Sequence, residues 1–515
     1  MTSTAPPQIH RTEVDGVPVY WADIPGRLEA HLYFRVGVRD ESFATTGITH
    51  LIEHLAFSRL PAIRHEHNGQ VELGLTTFSA TGRPEAVAGT LKDLCGSLGA
   101  IAAGDVAPEL LATELRVLEA EGSLAVPPHL AEALTRRYGL RGLGLAGADP
   151  VFAERLTRGE VAEFAARFFT RGNAALVLSG PPPEGLRLPL PEGAPVGWET
   201  TPTAPRALPA EYVSGGDGLV LSFSLPGDGS SLVGAVAVLG TVLGDRVRAT
   251  LRRGRGLVYD LDFGCVAVSP EQALAVVTCE LKPANGVVVA REILSTLRDL
   301  RDRGVTADEL ADVLAAFEEA GDDPQLPLWE ARDEALRRIG AAFQPPHDRL
   351  LAAIGSVTAR DMEQLLADLE WSLLVGLPEE SIPEGEDTDG VLYPRPAHRP
   401  ADVGPGTEYR RGIAGAVAMG VPRDARLSIG EGGLRMTGGG TVHAFGWDDI
   451  AGVAWEAAAK EGAARRSCTV IGRDGFVVTL VSGWFRGGDR ALAAIADRVP
   501  ARLQYTETGD ARRES

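Results

Sequence analysis

His50, Glu53 and His54, inside the stretch GITHLIEHLAFSRLP from Gly47 to Pro61, have the types and spacing that metal chemistry needs. On a helix, His50 and His54 stand one turn apart on the same face, so both imidazoles can reach a single ion. Glu53 then lies beside them. The order H-x-x-E-H inverts the commoner H-E-x-x-H zinc signature. A histidine pair on a half-buried helix is equally at home as packing or surface residues, and the pentad by itself leaves that reading open. A hydrolytic zinc site needs three protein ligands and one open position, so a third ligand must come from elsewhere in the chain.

Composition narrows what such a site can serve. The chain has 515 residues, 44% of them hydrophobic, with mean hydropathy near zero, which suits about three globular domains. A formal net charge of −20 and a pI near 5.0 argue against nucleic-acid or anionic-membrane partners. No apolar run approaches the roughly 20 residues that span a bilayer, and MTSTAPPQIHRTEVDG lacks a basic start followed by an apolar stretch. The expectation is a cytoplasmic protein. Cys95, Cys265, Cys279 and Cys468 are scattered without C-x-x-C spacing, so a metal would have to use histidine and carboxylate.

The flanking elements are those that could position the pentad. Strand-like VPVYW (Val17 to Trp21) and AHLYFRVGV (Ala30 to Val38) lead into its helix as an antiparallel pair. A polar, loop-like RHEHNGQ follows, in which His65 and His67 are weaker ligand candidates, and then a strand at LTTFSATG (Leu75 to Gly82). Helices are expected at Glu85 to Ala103 and Pro108 to Gly122, the second carrying Glu114, Glu119 and Glu121. Leu156 to Pro181 and Val357 to Pro378 share a threonine at a helix start, an acidic residue three positions on, an apolar helix and a strand ending in glycine. They mark a divergent internal repeat. The last hundred residues change character, with short strands, turn glycines and a closing helix from Asp489 to Val499.

The pentad, Gly47 before it, LAF after it and the downstream ELRVLEAE together resemble the M16 (pitrilysin, insulinase and mitochondrial processing peptidase) zinc metallopeptidases, in their small two-domain form. That resemblance implies an α+β fold. Two homologous α/β domains, each an antiparallel-rich sheet packed with helices, would occupy residues 8–185 and 210–380, with linkers at 186–209 and 381–407. A β-rich unit at 408–505 resembles a pleckstrin-homology-like domain with its C-terminal helix; its basic residues Lys460, Arg465, Arg466 and Arg473 are too few to indicate lipid binding. The resemblance further implies one zinc ion per chain on His50, His54 and Glu121, with Glu114 orienting a ligand histidine and Glu53 taking the proton of the attacking water. In LRRGRGLVY, Arg252 and Tyr259 match an Arg-Tyr pair that anchors substrate, and Thr76, Thr77 and Phe78 fall on the strand expected to pair with an extended peptide.

The implied function is a zinc endopeptidase acting on unstructured peptides. The Arg-Tyr pair and the metal ligands belong to opposite halves of such enzymes, which implies a homodimer with composite active sites, or a heterodimer with a paralogue. The alternatives are a non-catalytic, regulatory peptide-binding subunit and a protease dedicated to maturing one peptide product.

Overall fold

The computed structural model describes residues 9–61, 65–121, 126–148, 151–197, 207–227, 230–342, 344–383, 390–395, 398, 400–417, 421–456 and 467–507. Parts of both expected linkers, and Lys460, Arg465 and Arg466, lie outside the described residues.

The first half is built on β1 (His10–Val14), β2 (Val17–Trp21), β3 (Leu28–Phe34), β4 (Glu66–Val71), β5 (Thr76–Gly82) and β6 (Ala174–Leu178), in the order β1-β2-β6-β3-β5-β4. Its helices are α1 (Ile48–Ser58), α2 (Pro84–Ala102), α3 (Pro108–Glu121), α4 (Pro128–Tyr138) and α5 (Arg158–Phe168). Alternation along β3 and β5 turns Leu32, Phe34 and Phe78 to one face, where they form a single core with Leu51 and Leu55 of α1, Leu91 of α2 and Val161 of α5. The first two expected strands do not pair. β6 lies between them, parallel to β2 and antiparallel to β3, because all five of its residues are buried and claim the centre of the sheet.

The second half repeats this plan. β7 (Ala210–Ser214), β8 (Leu219–Pro226), β9 (Val258–Ser269), β10 (Gln272–Leu281) and β11 (Leu374–Pro378) run in the order β7-β11-β8-β10-β9. That order, with one parallel pair followed by antiparallel ones, matches β2-β6-β3-β5-β4. α6 (Val233–Val247), α7 (Gly286–Arg303), α8 (Ala307–Ala320), α9 (Leu326–Arg338), α10 (His347–Gly355) and α11 (Ala359–Leu365) complete it. The repeated helix starts are reciprocal caps: Thr157 Oγ1 accepts from Glu160 N at 3.2 Å, and Thr358 Oγ1 from Asp361 N at 3.3 Å, while each carboxylate accepts from the threonine amide at 2.8 Å.

The halves exchange helices. α9 lays Leu328, Ala331 and Ala335 on Tyr20, Tyr33 and Val177 of the first sheet. α4 lays Leu134 and Tyr138 on Val220, Leu274 and Val276 of the second. Beside them Arg137 is buried and donates to the carbonyls of Ser222 and Ser372 at 2.7 and 2.8 Å, which satisfies a cation taken out of water. Two four-stranded sheets then form the C-terminal unit: β12 (Gly406–Arg410), β13 (Arg426–Gly430), β14 (Gly433–Gly438) and β15 (Thr441–Gly446) in one, and β16 (Ile450–Glu456), β17 (Ser467–Gly472), β18 (Val477–Val481) and β19 (Gln504–Glu507) in the other. Leu427, Phe445, Trp455 and Leu480 pack between them against Leu492 and Ile495 of α12 (Gly488–Arg498). Among the described residues no helix is long and apolar enough to cross a membrane.

Candidate metal centre

Gly47, at φ 91°, turns the chain from the first sheet into α1; this left-handed backbone favours glycine. α1 then buries Leu51, Ile52 and Leu55 and leaves the face of His50, Glu53 and His54 toward α3 and β4. His50 Nε2 and His54 Nε2 stand 3.1 Å apart. Glu121 Oε2, from the last turn of α3, lies 3.6 Å from the first and 3.3 Å from the second. Bonds of about 2.0–2.1 Å to a tetrahedral ion place donor atoms about 3.3 Å apart, so these three donors fit a zinc ion.

Two further carboxylates complete the arrangement. Glu114 Oε2 lies 3.3 Å from His54 Nδ1, and its Oε1 accepts from Ser58 Oγ at 2.6 Å. An N–H at Nδ1 facing Glu114 leaves the Nε2 lone pair free for a ligand. Glu53 is 8% exposed, and its Oε2 lies 3.8 Å from His50 Nε2 and 3.7 Å from His54 Nε2, beside the donor triangle. Burial pushes the Glu53 carboxyl up to about 7, with His54 opposing and the charges of Glu121 and Glu114 adding. Burial and the neighbouring His54 hold His50 below its ordinary value, against the pull of Glu121, which keeps the ring neutral and able to ligate.

The strand expected to receive a peptide is not available for it. β5 is interior, hydrogen-bonded to β3 on one side and β4 on the other. Thr76 is fully buried and donates to the Val36 carbonyl at 2.8 Å; Phe78 is 1% exposed among Phe34, Phe57 and Phe169. Thr77 is only partly exposed on the opposite face of the same strand. Thr76, Thr77 and Phe78 therefore offer no free backbone edge.

The free edge belongs to β4, read from sequence as a loop. β4 crosses Glu53 so closely that a Cβ at Gly69 would overlap the carboxylate. Its polar, exposed side chains hide the strand. The signal that could have found it is the short reversal Glu72–Leu75, closed by Glu72 N donating to Leu75 O at 2.8 Å, which makes β4 and β5 a hairpin. His65 and His67 do not join the cluster; one faces Thr90 at 3.2 Å and the other the Phe57 ring. Ser58 is a further residue that sequence reasoning missed.

Arg252 sits in a π-helical turn, Arg248–Arg253, that extends α6, and Tyr259 is the second residue of β9, with 66% of its surface exposed. Among the described residues, neither makes a hydrogen bond or ion pair with His50, Glu53, His54 or Glu121. They share the exposed end of the second half's edge strand and its preceding helix.

Residues 155–317 match the family model described as the Peptidase M16 inactive domain, a span that begins before α5 and ends in α8 and excludes the metal cluster. No curated protein matches the chain in sequence. Among solved structures, it is similar to a protease from Helicobacter pylori (14% identity, TM-score 0.53, covering 72% of this chain and 100% of that one). It is similar also to a peptidase M16 inactive domain from Pseudomonas fluorescens (14%, TM-score 0.57, 72% and 98%) and to pitrilysin (14%, TM-score 0.56, 75% and 46%), of whose length it covers less than half. At such identities the likeness speaks for the fold, and with the family match over residues 155–317 it gives the two repeated halves of this chain the fold of the M16 peptidases.

Proposed function

We propose that the chain is a zinc-dependent endopeptidase for unstructured peptides. The observation that carries this reading is the convergence of His50 Nε2, His54 Nε2 and Glu121 Oε2 on one position, with Glu53 beside it and Glu114 behind His54. A zinc ion held there would polarise a peptide carbonyl and bring the pKa of a water toward neutrality.

The protein's own groups supply the rest. Glu53, buried beside the donor triangle, is placed to take the proton of the attacking water and return it to the leaving amine. Glu114 fixes the His54 ring. The free edge of β4 can hold an extended peptide by main-chain hydrogen bonds, and Gly69 lets that strand lie against Glu53. Arg252 and Tyr259 would serve a neighbouring chain's centre, a guanidinium holding a substrate carbonyl or carboxylate and a phenol donating to the developing oxyanion. A homodimer, or a heterodimer with a paralogue, would bring them together. The soluble compartment expected is the cytoplasm.

The test combines metal analysis with cleavage of a quenched peptide library. One zinc per chain and chelator-sensitive cleavage, lost in Glu53→Gln, are expected. The match to an inactive-domain model, over residues that exclude the cluster, is compatible with a second reading, a regulatory peptide-binding subunit. Zinc without any cleavage would support that one instead.

A further inference from the structure

α1 is held at its start by a residue from the preceding turn. Glu41 Oε2 accepts from Gly47 N at 2.8 Å and Oε1 accepts from Thr49 N at 3.0 Å, occupying two of the amide donors that a helix N-terminus leaves open. Between Glu41 and Gly47 runs the tight turn Phe43–Thr45, closed by Ser42 N donating to Thr45 Oγ1 at 3.0 Å and by Thr46 Oγ1 donating to Phe43 O at 3.1 Å. Phe43 faces away from the core of the first half. Its ring meets Phe152 edge-on at 5.8 Å and packs with Leu140, Leu145 and Ala451.

β16 of the C-terminal unit closes this cluster. Gly452 lies so near that a Cβ there would stand 3.0 Å from Phe43 Cε1 and 3.5 Å from Phe152. Leu140 N donates to Arg473 O at 2.8 Å, and the Tyr505 ring stands 5.0 Å from Phe152, so the docking is fixed at three points around the turn. An unbroken path of contacts therefore runs from β16 through Phe43 and Glu41 to the first turn of α1.

We propose that Glu41 is a positioning residue for the metal centre, and that the C-terminal unit acts through it to set where α1 lies. The inference rests on the metal reading of the cluster. His50 and His54 share α1, so a shift of that helix leaves their mutual spacing intact. It alters their distance to Glu114 and Glu121, which belong to α3. The C-terminal unit thereby governs how well the carboxylates meet the histidines without contributing an atom to the centre.

The test measures zinc affinity of the full chain by competition with a chromophoric chelator, beside thermal melting of the metal-free protein. Glu41→Ala should weaken zinc about tenfold, the scale of a lost outer contact to a ligand set. Glu41→Gln, which keeps one acceptor oxygen, should recover part of that. In a Glu121→Ala background, Glu41→Ala should cost less than a further twofold, because the α3 ligand that a correctly placed α1 has to meet is gone. Gly452→Ala, the smallest intrusion on Phe43 and remote from the centre, should weaken zinc in the same direction while the metal-free protein still melts in one cooperative transition. Affinity unchanged in Glu41→Ala, or a loss that multiplies in full with Glu121→Ala, overturns the proposal. If Glu41→Ala fails to fold, undiminished affinity in Gly452→Ala overturns it. A wild-type chain that takes no zinc overturns the metal reading itself, and this inference with it.

Discussion

α1 and α6 occupy the same place in two sheets of the same order, each following the second strand of the shared plan and each facing that sheet's free edge strand. Their side chains differ completely. α1 turns His50, Glu53 and His54 toward the glutamates of α3. α6 turns Val236, Ala237, Gly240, Thr241 and Gly244 into a cavity of about 760 Å³ that it shares with Phe263, Phe317 and Leu336. Polar anchoring differs too: α6 is tied to its neighbours by Arg246, whose guanidinium meets Glu309 at 2.7 and 2.9 Å and Asp299 at 2.8 Å. The repeated topology presents a helix face at a sheet edge, and only the residues on that face decide whether a metal can be held there. The inactive-domain match falls largely on the half whose face offers no ligands.

The comparison breaks most sharply at Glu53. Glu53→Gln should retain zinc and lose peptide cleavage by about a thousandfold, as expected when a general base is removed. The edge strands give a matched pair of probes. Gly69→Ala puts a methyl into the Glu53 carboxylate, whereas a Cβ at Gly264 of β9 meets nothing within 4 Å. Cleavage should fall at least tenfold in the first and stay within twofold of wild type in the second, read as kcat/KM on one fluorogenic peptide; equal effects would remove the distinction drawn between the two edges.

Whether the second half serves the first half of another chain can be read from mixtures. Glu53→Gln and Arg252→Ala chains, each inactive alone, should on random pairing recover about a quarter of wild-type activity, because half the dimers are mixed and each has one intact composite site. Verified mixed dimers without activity would overturn the composite site.

The sequence made the pentad legible because helical periodicity alone places positions i and i+4 together, and no tertiary knowledge is needed to see it. Glu114 and Glu121 were reachable only through resemblance; periodicity relates them to each other but not to α1, across a gap of about sixty residues. The capped helix starts at Thr157 and Thr358 exposed the repeat, since a reciprocal cap needs a fixed spacing. β4 stayed hidden because EHNGQV has neither alternation nor β-branched residues until its last position, and its pairing is supplied by β5. The expected peptide strand failed for the same reason: β4, unseen in the sequence, pairs with β5 and takes the edge. Helix exchange through α4 and α9 was likewise unreadable, because an apolar face announces that it will be covered but not by which sheet.

The smallest effect separates the polar anchors of the two helices by pH. Hydrogen bonding from Arg246, helped by Thr306 and opposed by burial, holds the Glu309 carboxyl at about 2, below its ordinary 4.5. A carboxylate depressed in the fold contributes stability that is present above pH 4.5 and lost as pH falls toward 2. Because the fork is partly open to water, its worth is about 1 kcal/mol after screening. Glu309→Gln should lower the unfolding free energy by that amount at pH 7 and leave it nearly unchanged at pH 2, measured by denaturant titration. α1 has no carboxylate of this kind on a guanidinium among the described residues; its polar contacts run through Glu41 at its start and through His54, Ser58 and Glu114 further on. A Glu309→Gln chain should therefore unfold the second half earlier while binding zinc as tightly as wild type, and a parallel loss of zinc affinity would mean that α1 and α6 are coupled rather than merely alike.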